Sequence, residues 1–471
     1  MDQAPKPFLN DLFRDSISTI GEDGKRAWIY AKKPKGKLYQ LRTIFSIFYL
    51  VLFFTIPFIK IHGDPLFLFN IPKGRFILFN VVFWAQDFFI FGLGMLIFVL
   101  FVVLFTVVFG RVFCGWACPQ TIFMEMVFRK IEYWIEGDAN QQKALDHAPW
   151  NTEKFQKRGL KYLIFFLISF VITHFFLAYI IGMDEVRNLV FGSLEDNWTD
   201  YLYIVIFSLV FCFIYLWFRE QVCIVVCPYG RLQGVMLDRN SIVVAYDYIR
   251  GEKRAKLKKN EPRTAGDCID CGHCVKVCPT GIDIRNGTQL ECVNCTACID
   301  ACDEMMENVG YPKGLIRYAS ENGIANKVKL KLTPRMIGYA AVLLVLMTLE
   351  SFLLASRSDL DVSIIRARGL LYQIQADSVN ISNVYNLKLE NKTRNEMKVH
   401  MEIESMEGTI KIIGNQSIVV PKEGHQQAEF FVLLDKKKLV GRKTKLKIGI
   451  YCADKKIKTA ETVFFGPGAI N

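Results

Sequence analysis

The chain contains the run Cys268-Ile-Asp-Cys271-Gly-His-Cys274-Val-Lys-Val-Cys278-Pro279, and the same spacing returns in Cys292-Val-Asn-Cys295-Thr-Ala-Cys298-Ile-Asp-Ala-Cys302. This spacing is typical of loops that bind [4Fe–4S] clusters, in which the fourth cysteine of each run ligates the other run's cluster. We therefore predict two clusters with crossed ligands. The first is assigned to Cys268, Cys271, Cys274 and Cys302, and the second to Cys292, Cys295, Cys298 and Cys278.

Two identical runs of this kind mark residues 236–335 as a two-cluster ferredoxin domain of the bacterial type, which makes the chain an electron carrier. A pair of zinc sites or a set of disulfides is the competing interpretation. Zinc sites usually use two cysteine pairs separated by a longer gap, so the repeated spacing disfavours zinc.

Apolar residues make up 52% of the 471-residue chain and gather into five long runs. Each run is long enough to cross a bilayer as a helix, although the shorter ones lie near the lower limit of about 17 residues. The first 42 residues are polar, so we expect no cleavable signal peptide. We predict five transmembrane helices, over residues 43–59, 88–110, 162–183, 201–218 and 336–356.

Lys and Arg are distributed unevenly between the connecting segments. Residues 1–42, 111–161 and 219–335 contain 9, 8 and 18 of them, whereas residues 60–87 and 184–200 contain 3 and 1. Because positive residues favour the cytoplasmic side, the first three segments are predicted to be cytoplasmic. An odd number of spans then places the tail on the opposite side.

These features divide the chain into five parts. We predict a cytoplasmic N-terminal segment, a four-helix membrane domain, the ferredoxin domain, a fifth membrane helix and an exported tail, over residues 1–42, 43–235, 236–335, 336–356 and 357–471. The tail alternates apolar and polar residues in about seven short strands, which is typical of a β-sandwich.

The net charge of +12 raises the question of nucleic-acid binding. The most basic run, residues 250–259, belongs to a membrane-flanking segment, where positive charge is expected and can contact anionic lipid. Since no recognised nucleic-acid-binding module accompanies this charge, we predict no nucleic-acid partner.

The membrane domain contains a repeat of its own. Cys114-Gly-Trp-Ala-Cys118-Pro and Cys223-Ile-Val-Val-Cys227-Pro each follow a predicted span. On one helix, cysteines at positions i and i+4 share a face and could clamp one soft metal ion, while the proline would bend the helix. Such thiolates suit Cu(I), zinc or a further iron–sulfur cluster, and helix-packing cysteines remain the alternative.

Two shorter segments also receive predictions. Residues 76–86 are apolar but too short to span, so we expect them to lie in the outer interface or to fold back. Residues 119–136 place apolar residues at helical spacing and resemble an interfacial amphipathic helix covering the first cysteine motif.

Several stretches together resemble the cytochrome c oxidase accessory proteins, a family of membrane polyferredoxins called CcoG, FixG or RdxA. The matching stretches are Arg111-Val-Phe-Cys-Gly-Trp-Ala-Cys-Pro-Gln-Thr121, Cys227-Pro-Tyr-Gly-Arg-Leu-Gln233, Tyr246-Asp-Tyr-Ile-Arg-Gly-Glu252, Gly266-Asp-Cys-Ile-Asp-Cys-Gly-His-Cys274 and Cys295-Thr-Ala-Cys-Ile-Asp-Ala-Cys-Asp303. The resemblance covers nearly the whole chain and implies that the tail is an immunoglobulin-like domain.

The resemblance also implies a function, namely reduction of Cu(II) to Cu(I) during maturation of the cbb3-type oxidase. Copper would be bound and reduced at Cys114, Cys118, Cys223 and Cys227. The expected location is the bacterial inner membrane, with the clusters cytoplasmic and the tail periplasmic. Expected partners are oxidase subunits or copper chaperones and transporters, an unidentified electron donor, membrane lipid and a second copy of the chain.

Two other functions remain open. A quinol-linked polyferredoxin would pass electrons to a periplasmic reductase without copper, and such proteins share the paired membrane cysteine motifs. A non-enzymatic assembly scaffold would use the tail to dock the oxidase and the clusters only to sense redox state.

Overall fold

The computed structural model describes residues 18–467, apart from 22–23, 73, 80, 84–87, 258–263, 328–332, 368, 370, 376–378, 415–417, 423, 440 and 453–454. The first 17 residues of the predicted N-terminal segment and the last two of the basic run 250–259 therefore lie outside the described residues. The chain forms two compact units, Met1–Glu350 and Ser351–Asn471.

Five helices in the described residues are long and apolar enough to cross a membrane, which confirms the predicted number. They are called spans 1 to 5 and cover Lys37–Phe58, Phe88–Phe109, Thr152–Ile181, Asn197–Phe218 and Pro334–Ala355.

Spans 1 and 3 begin earlier than predicted. In span 3 the Asn151 side chain accepts a hydrogen bond from the Lys154 backbone N–H at 2.8 Å, so the helix starts at a polar cap. The run of hydropathy begins only later, because the first turns of this helix carry polar side chains. Sequence hydropathy therefore located the apolar part of the helix but not its start.

The segment after the first membrane cysteine motif is helical, as predicted, and its first half packs against the membrane spans. It consists of Pro119–Ile122, a π-helical stretch Phe123–Phe128, and Arg129–Ile135. Phe123 and Phe128 are fully buried and pack against side chains of spans 1, 3 and 4. The first half of this segment is therefore part of the helical core, because its apolar residues occur on more than one face.

The described residues between 60 and 83 form two small sheets, which are compatible with either arrangement predicted for residues 76–86. Phe67–Asn70, Arg75–Leu78 and Val81–Phe83 build a three-stranded antiparallel sheet, and Lys60–Ile61 pairs with Asp64–Pro65. The sheet buries Ile77 completely. An apolar segment that is too short to span a membrane can still pair its backbone N–H and C=O groups by joining a sheet.

The ferredoxin domain lies between spans 4 and 5. Its strand Val243–Tyr246 pairs antiparallel with Ile316–Ala319, which brings the two ends of the domain together. The cysteine runs lie between these strands and lead into helices His273–Lys276 and Ala297–Asn308. The remaining short helices described in the first unit are Val112–Trp116, Ala139–His147, Met183–Phe191, the π-helical Val222–Val226 that contains Cys223, Pro228–Met236, Tyr248–Gly251, Ile284–Asn286 and Glu321–Ala325.

The second unit is an antiparallel β-sandwich, as the alternating pattern predicts. One sheet has the order Thr409–Ile412, His425–Asp435, Asn380–Asn391 and Leu360–Arg366, with Gln373–Ile374 also pairing with Asn380–Asn391. The other has the order Ile418–Val420, Met397–Ile403, Lys443–Cys452 and Lys455–Phe465.

The inner faces of these two sheets supply one apolar core. Tyr385, Phe430, Ile448 and Phe464 are completely buried there. The structure describes nine strands in this unit where about seven were predicted, because Gln373–Ile374 and Ile418–Val420 are too short to show an alternating pattern.

Candidate redox site

Four cysteines line a first cavity in the ferredoxin domain. Cys268, Cys271 and Cys274 come from the first run, and Cys302 comes from the end of the second. Of the eight cysteines in the two runs, Cys271 alone is exposed. This cavity therefore has a side that solvent reaches.

A second cavity lies beside the first. It is lined by Cys278 of the first run and by Cys292, Cys295 and Cys298 of the second. Cys274 also lines it and is an electrostatic neighbour of Cys298, so the two cavities adjoin.

The two cysteine runs share a backbone conformation that explains how each draws three thiols together. Asp270 and Gly272 have φ of 51° and 66°, and the equivalent Asn294 and Thr296 have φ of 54° and 67°. Left-handed residues at these two positions turn the chain sharply between successive cysteines. Each run therefore wraps around its cavity before the following helix begins.

Burial strongly disfavours the ionised form of these thiols. Desolvation is the main cause that raises the pKa of Cys274, Cys302 and Cys292 to about 12, and neighbouring thiols of the same set raise it further. Thiolates buried this way need a cationic metal core to remain ionised. Both cavities, with four soft sulfur donors each, fit an iron–sulfur cluster.

The spacing of the donors disfavours a single metal ion. Among the described residues, no group of three or more His, Cys, Asp or Glu side chains is close enough to bind one ion. Zinc binds sulfur at about 2.3 Å, so its thiolates must lie within roughly 5 Å of one another. In a [4Fe–4S] cluster each thiolate binds a different iron, so the thiolates lie farther apart than around a single ion. The arrangement of cysteines around both cavities agrees with this wider separation.

The membrane cysteine motifs have a geometry that differs from the prediction. Cys118 and Cys227 have extended conformations, with ψ of 125° and 110°, and each precedes a proline that starts a new helix. The expectation that each cysteine pair shares one helix bent by the proline is therefore wrong. Proline disfavours the helical conformation in the residue before it but suits the first helical position.

The backbone repeats in both membrane motifs. Gly110 and Arg219 occupy aligned positions at the ends of spans 2 and 4, and their φ values are 57° and 50°. A residue with positive φ follows each span and redirects the chain into its cysteine pair. The internal repeat inferred from the cysteines and prolines is thus also a repeat of backbone conformation.

The four membrane-motif thiols are neighbours, although no three of them lie close enough in the described structure to bind one ion without side-chain movement. The electrostatic neighbours of Cys223 include Cys114, Cys118 and Cys227. Burial raises the pKa of Cys114 to about 11 and that of Cys223 to about 12, so both retain their protons until a cation displaces them. Cys114 also donates a hydrogen bond to Gln233 Oε1 at 2.9 Å.

The first membrane motif touches the loop of the second cavity. A Cβ added to Gly115 would lie 2.4 Å from the Val293 carbonyl oxygen, so the two backbones are in direct contact. Arg111 donates a hydrogen bond to the Leu290 carbonyl, and Arg42 Nε donates to the Gly115 carbonyl at 2.8 Å. The first cavity, the second cavity and the membrane-motif thiols therefore follow one another in space.

Sequence reasoning missed a network of buried charges beside the second membrane motif. Glu132 Oε2 lies 2.5 Å from Arg219 Nη2, and its other oxygen lies 2.9 Å from Lys161 Nζ. Glu220, which follows Arg219, pairs with Arg129 at 3.6 Å. The sequence does contain a signal for this network. Glu125, Arg129, Glu132 and Glu136 are three or four residues apart, which places them along one face of a helix.

Three family models match the chain. One described as a 4Fe-4S dicluster domain matches residues 218–321, and one described as a 4Fe-4S binding domain matches residues 91–137. A third, described as an IG-like fold at the C-terminal of FixG, matches residues 351–467. These matches confirm iron–sulfur domains and the immunoglobulin-like tail. The model over residues 91–137 includes Cys114 and Cys118.

Two curated proteins are similar over most of their length. The nitrogen fixation protein FixG of Rhizobium meliloti is 31% identical, with 83% of this chain and 82% of that protein covered. Protein RdxB of Cereibacter sphaeroides is 34% identical, with 85% of each covered. A crystal structure of a FixG-related protein from Vibrio parahaemolyticus is 21% identical, covers 23% of this chain and 97% of its own, and has a TM-score of 0.20. The chain belongs to the FixG/RdxA/RdxB family of membrane iron–sulfur electron-transport proteins.

Proposed function

We propose that this protein reduces Cu(II) to Cu(I) for assembly of the copper centre of a cbb3-type oxidase. The observation that carries the proposal is the proximity of four buried or half-buried thiols, from both membrane motifs, to one another and to the loop of the second ferredoxin cavity. Soft thiolates favour Cu(I), so the same residues can receive copper and stabilise the reduced ion. Copper is here the substrate, not a resident cofactor.

We further propose that the protein lies in a bacterial inner membrane, with the ferredoxin domain cytoplasmic and the tail periplasmic. The Lys and Arg distribution supports this orientation. The tail would then be available to oxidase subunits or to copper chaperones and transporters.

Each residue set has a separate task in this proposal. Cys268, Cys271, Cys274 and Cys302 hold one iron–sulfur cluster, and Cys278, Cys292, Cys295 and Cys298 hold the other. Clusters bound in the two cavities supply one electron at a time. The exposed Cys271 offers the approach for a reduced cytoplasmic protein or small reductant.

The copper step itself balances with one electron. Each Cu(II) ion gains one electron at Cys114, Cys118, Cys223 and Cys227 and leaves as Cu(I), while the donor loses one. Displacing the protons of the buried thiols is part of copper binding, because burial favours the protonated form of Cys114 and Cys223.

The test is an anaerobic assay on the full-length protein in detergent. The protein is reduced, excess reductant is removed, and one equivalent of Cu(II) is added. Cluster oxidation is followed optically beside formation of a Cu(I)–chelator complex. Stoichiometric Cu(I) is expected in the wild type and in Cys212→Ser, a matched control whose buried cysteine lies in span 4 outside the motifs.

The variant for this assay changes Cys114, Cys118, Cys223 and Cys227 to Ser. Loss of Cu(I) formation with both clusters still present supports the proposal. Equal Cu(I) formation in this variant and in the control overturns it.

One observation favours a second candidate, the quinol-linked polyferredoxin. The family model over residues 91–137 is described as a 4Fe-4S binding domain, so the four membrane-motif cysteines could hold a further cluster in place of copper. In that case the four-Ser variant loses iron, and a reduced quinone analogue added anaerobically reduces the clusters of the wild type. Unchanged iron content in the variant, together with no reduction of the wild-type clusters by the quinone analogue, excludes this candidate.

A further inference from the structure

The charges around the first cavity largely cancel. Arg285, the cation nearest Cys274, forms ion pairs with Asp283 and Asp270, both at 2.6 Å. Asp303 is an additional negative neighbour, acting on Cys302. Lys32 and Lys276, which act on the lining residue His273, are exposed to solvent and therefore screened, so the field from the less exposed groups at this cavity is neutral to negative.

The charges at the second cavity do not cancel. Arg42 and Arg111 are buried, with 4% and 3% of their surfaces exposed, and they are electrostatic neighbours of Cys295 and Cys292, respectively. Arg111 Nε donates to the Gln233 side-chain oxygen at 3.2 Å, and Arg42 Nε donates to a backbone carbonyl. Within the described parts of the chain, neither guanidinium forms an ion pair with a carboxylate.

Two details strengthen this asymmetry. The buried Arg42 Nη2 has no hydrogen-bond partner in the described structure. Glu125, the nearby carboxylate that acts on Cys295, is itself paired with Arg129 at 3.4 Å. The two cations therefore lack a compensating charge from the protein.

A buried cation needs an anionic neighbour, because taking charge out of water is unfavourable. An iron–sulfur core with four thiolates carries net negative charge, and it gains one more negative charge when it accepts an electron. Nearby uncompensated cations stabilise the reduced state more than the oxidised state, which raises the reduction potential. Arg111 also neighbours Cys114, so this field extends to the membrane motif.

We propose that Arg42 and Arg111 raise the reduction potential of the cluster held by Cys278, Cys292, Cys295 and Cys298 above that of the cluster held by Cys268, Cys271, Cys274 and Cys302. An electron then resides on the side that faces Cys114. The inference rests on the proposed cluster ligands and on electron flow toward the membrane motifs, and it is independent of whether copper is the acceptor.

The experiment is a redox titration of the full-length protein in detergent, followed by electron paramagnetic resonance and without copper. The signals are assigned with Cys271→Ser, which alters the first cluster. Arg42→Gln and Arg111→Gln are expected to lower the potential of the second cluster selectively. The equilibrium constant for distribution of one electron between the two clusters is expected to change tenfold or more, which corresponds to about 59 mV.

Charge-conserving variants separate field from structure. Arg42→Lys and Arg111→Lys are expected to retain most of the potential, whereas Arg285→Gln should lower only that of the first cluster. Unchanged potentials in the Gln variants, or equal losses in the Gln and Lys variants, overturn the inference.

A surface variant keeps the test decisive if the buried substitutions prevent folding. Asp270→Asn removes one partner of Arg285, and asparagine tolerates the left-handed backbone found there. It should raise the potential of the first cluster and narrow the gap between the two, and an unchanged gap overturns the charge argument. Since copper is absent from every arm, a failure here is distinct from a failure of the copper assay.

Discussion

The ferredoxin domain and the pair of membrane motifs both gather cysteines, but over different distances along the chain. In the ferredoxin domain, residues 268–274 supply three thiols to one cavity from a single loop. In the membrane motifs, each copy supplies only two, and the copies are separated by spans 3 and 4. The first arrangement depends mainly on local backbone conformation, whereas the second depends on helix packing.

This difference teaches how far cysteine spacing can be trusted. The loop of Asp270 and Gly272 turns by its own left-handed residues, so the spacing directly reports which thiols meet. Cys114 and Cys223 come from motifs far apart in the sequence, so only tertiary packing makes them neighbours. A substitution in one ferredoxin loop should therefore affect one cluster. A substitution that disturbs helix packing should affect the contact between the ferredoxin domain and the membrane motifs.

The largest effect is expected from removing a cluster ligand. Cys298→Ala leaves a buried set of three thiols, so iron and sulfide content should fall by about half, corresponding to one of two clusters. Changing Cys114 and Cys223 to Ser should leave iron content unchanged under the copper proposal. Metal analysis of anaerobically purified protein makes the comparison, and iron loss in both variants would show that both regions hold clusters.

The next effect concerns the packing that supports the second membrane motif. Glu132→Gln leaves Arg219 and Lys161 without their shared counter-charge, which should destabilise the first unit by about 3–5 kcal/mol. Thermal unfolding in detergent measures the change. Glu153→Gln is the matched control, because Glu153 pairs with Lys157 on the surface, where an ion pair contributes little. Equal unfolding temperatures for both variants would contradict a structural role of the network.

The same carboxylate predicts a pH dependence. Burial opposes ionisation of Glu132, but Arg219 and Lys161 outweigh it and lower the pKa from 4.5 to about 2. Because the folded pKa is depressed, this stabilisation is present above about pH 4.5 and is lost as pH falls toward 2. The unfolding temperatures of the wild type and Glu132→Gln should therefore converge on acidification. A constant difference from pH 6 to pH 3 would be evidence against the assignment.

A smaller effect is expected where the two cysteine regions touch. Gly115→Ala places a methyl group against the Val293 carbonyl, so the ferredoxin loop must move, at a cost of about 1–3 kcal/mol. Electron transfer from the clusters to the membrane motif should become slower. The measurement is the rate at which an added acceptor oxidises the clusters. Gly159→Ala in span 3 is the control, since no atom lies within 4 Å of its added Cβ. Identical rates for the two variants would exclude this contact as the route.

The smallest effect compares the two ferredoxin loops. Gly272→Ala places a side chain at φ of 66° with no steric neighbour, so only backbone strain of about 1 kcal/mol is expected. Thr296→Gly at the equivalent position should relieve a similar strain, whereas Thr296→Ala removes the same buried hydroxyl and retains the strain. Thr296→Gly should therefore unfold at a temperature no lower than Thr296→Ala in the cluster-loaded protein, and a clearly lower temperature would refute the equivalence.

The sequence by itself determined the features that depend on local pattern. Five apolar runs predicted five spans, alternation predicted the sandwich, and the repeated spacing Cys268-x2-Cys271-x2-Cys274 predicted cluster loops. These patterns succeed because hydrophobic periodicity and turn chemistry act over a few residues. The same local reasoning, through Pro119 and Pro228, should have predicted new helices in place of bent ones.

Tertiary structure alone decided how these parts meet. The contact between Gly115 and Val293, the burial of Arg42 and Arg111 beside the second cavity, and the buried pairing of Glu132 all join residues distant in sequence. A charge on a helix has the same sequence signature whether it faces solvent or another helix. Only packing removes it from water, and burial is what turns that charge into a determinant of stability or of potential.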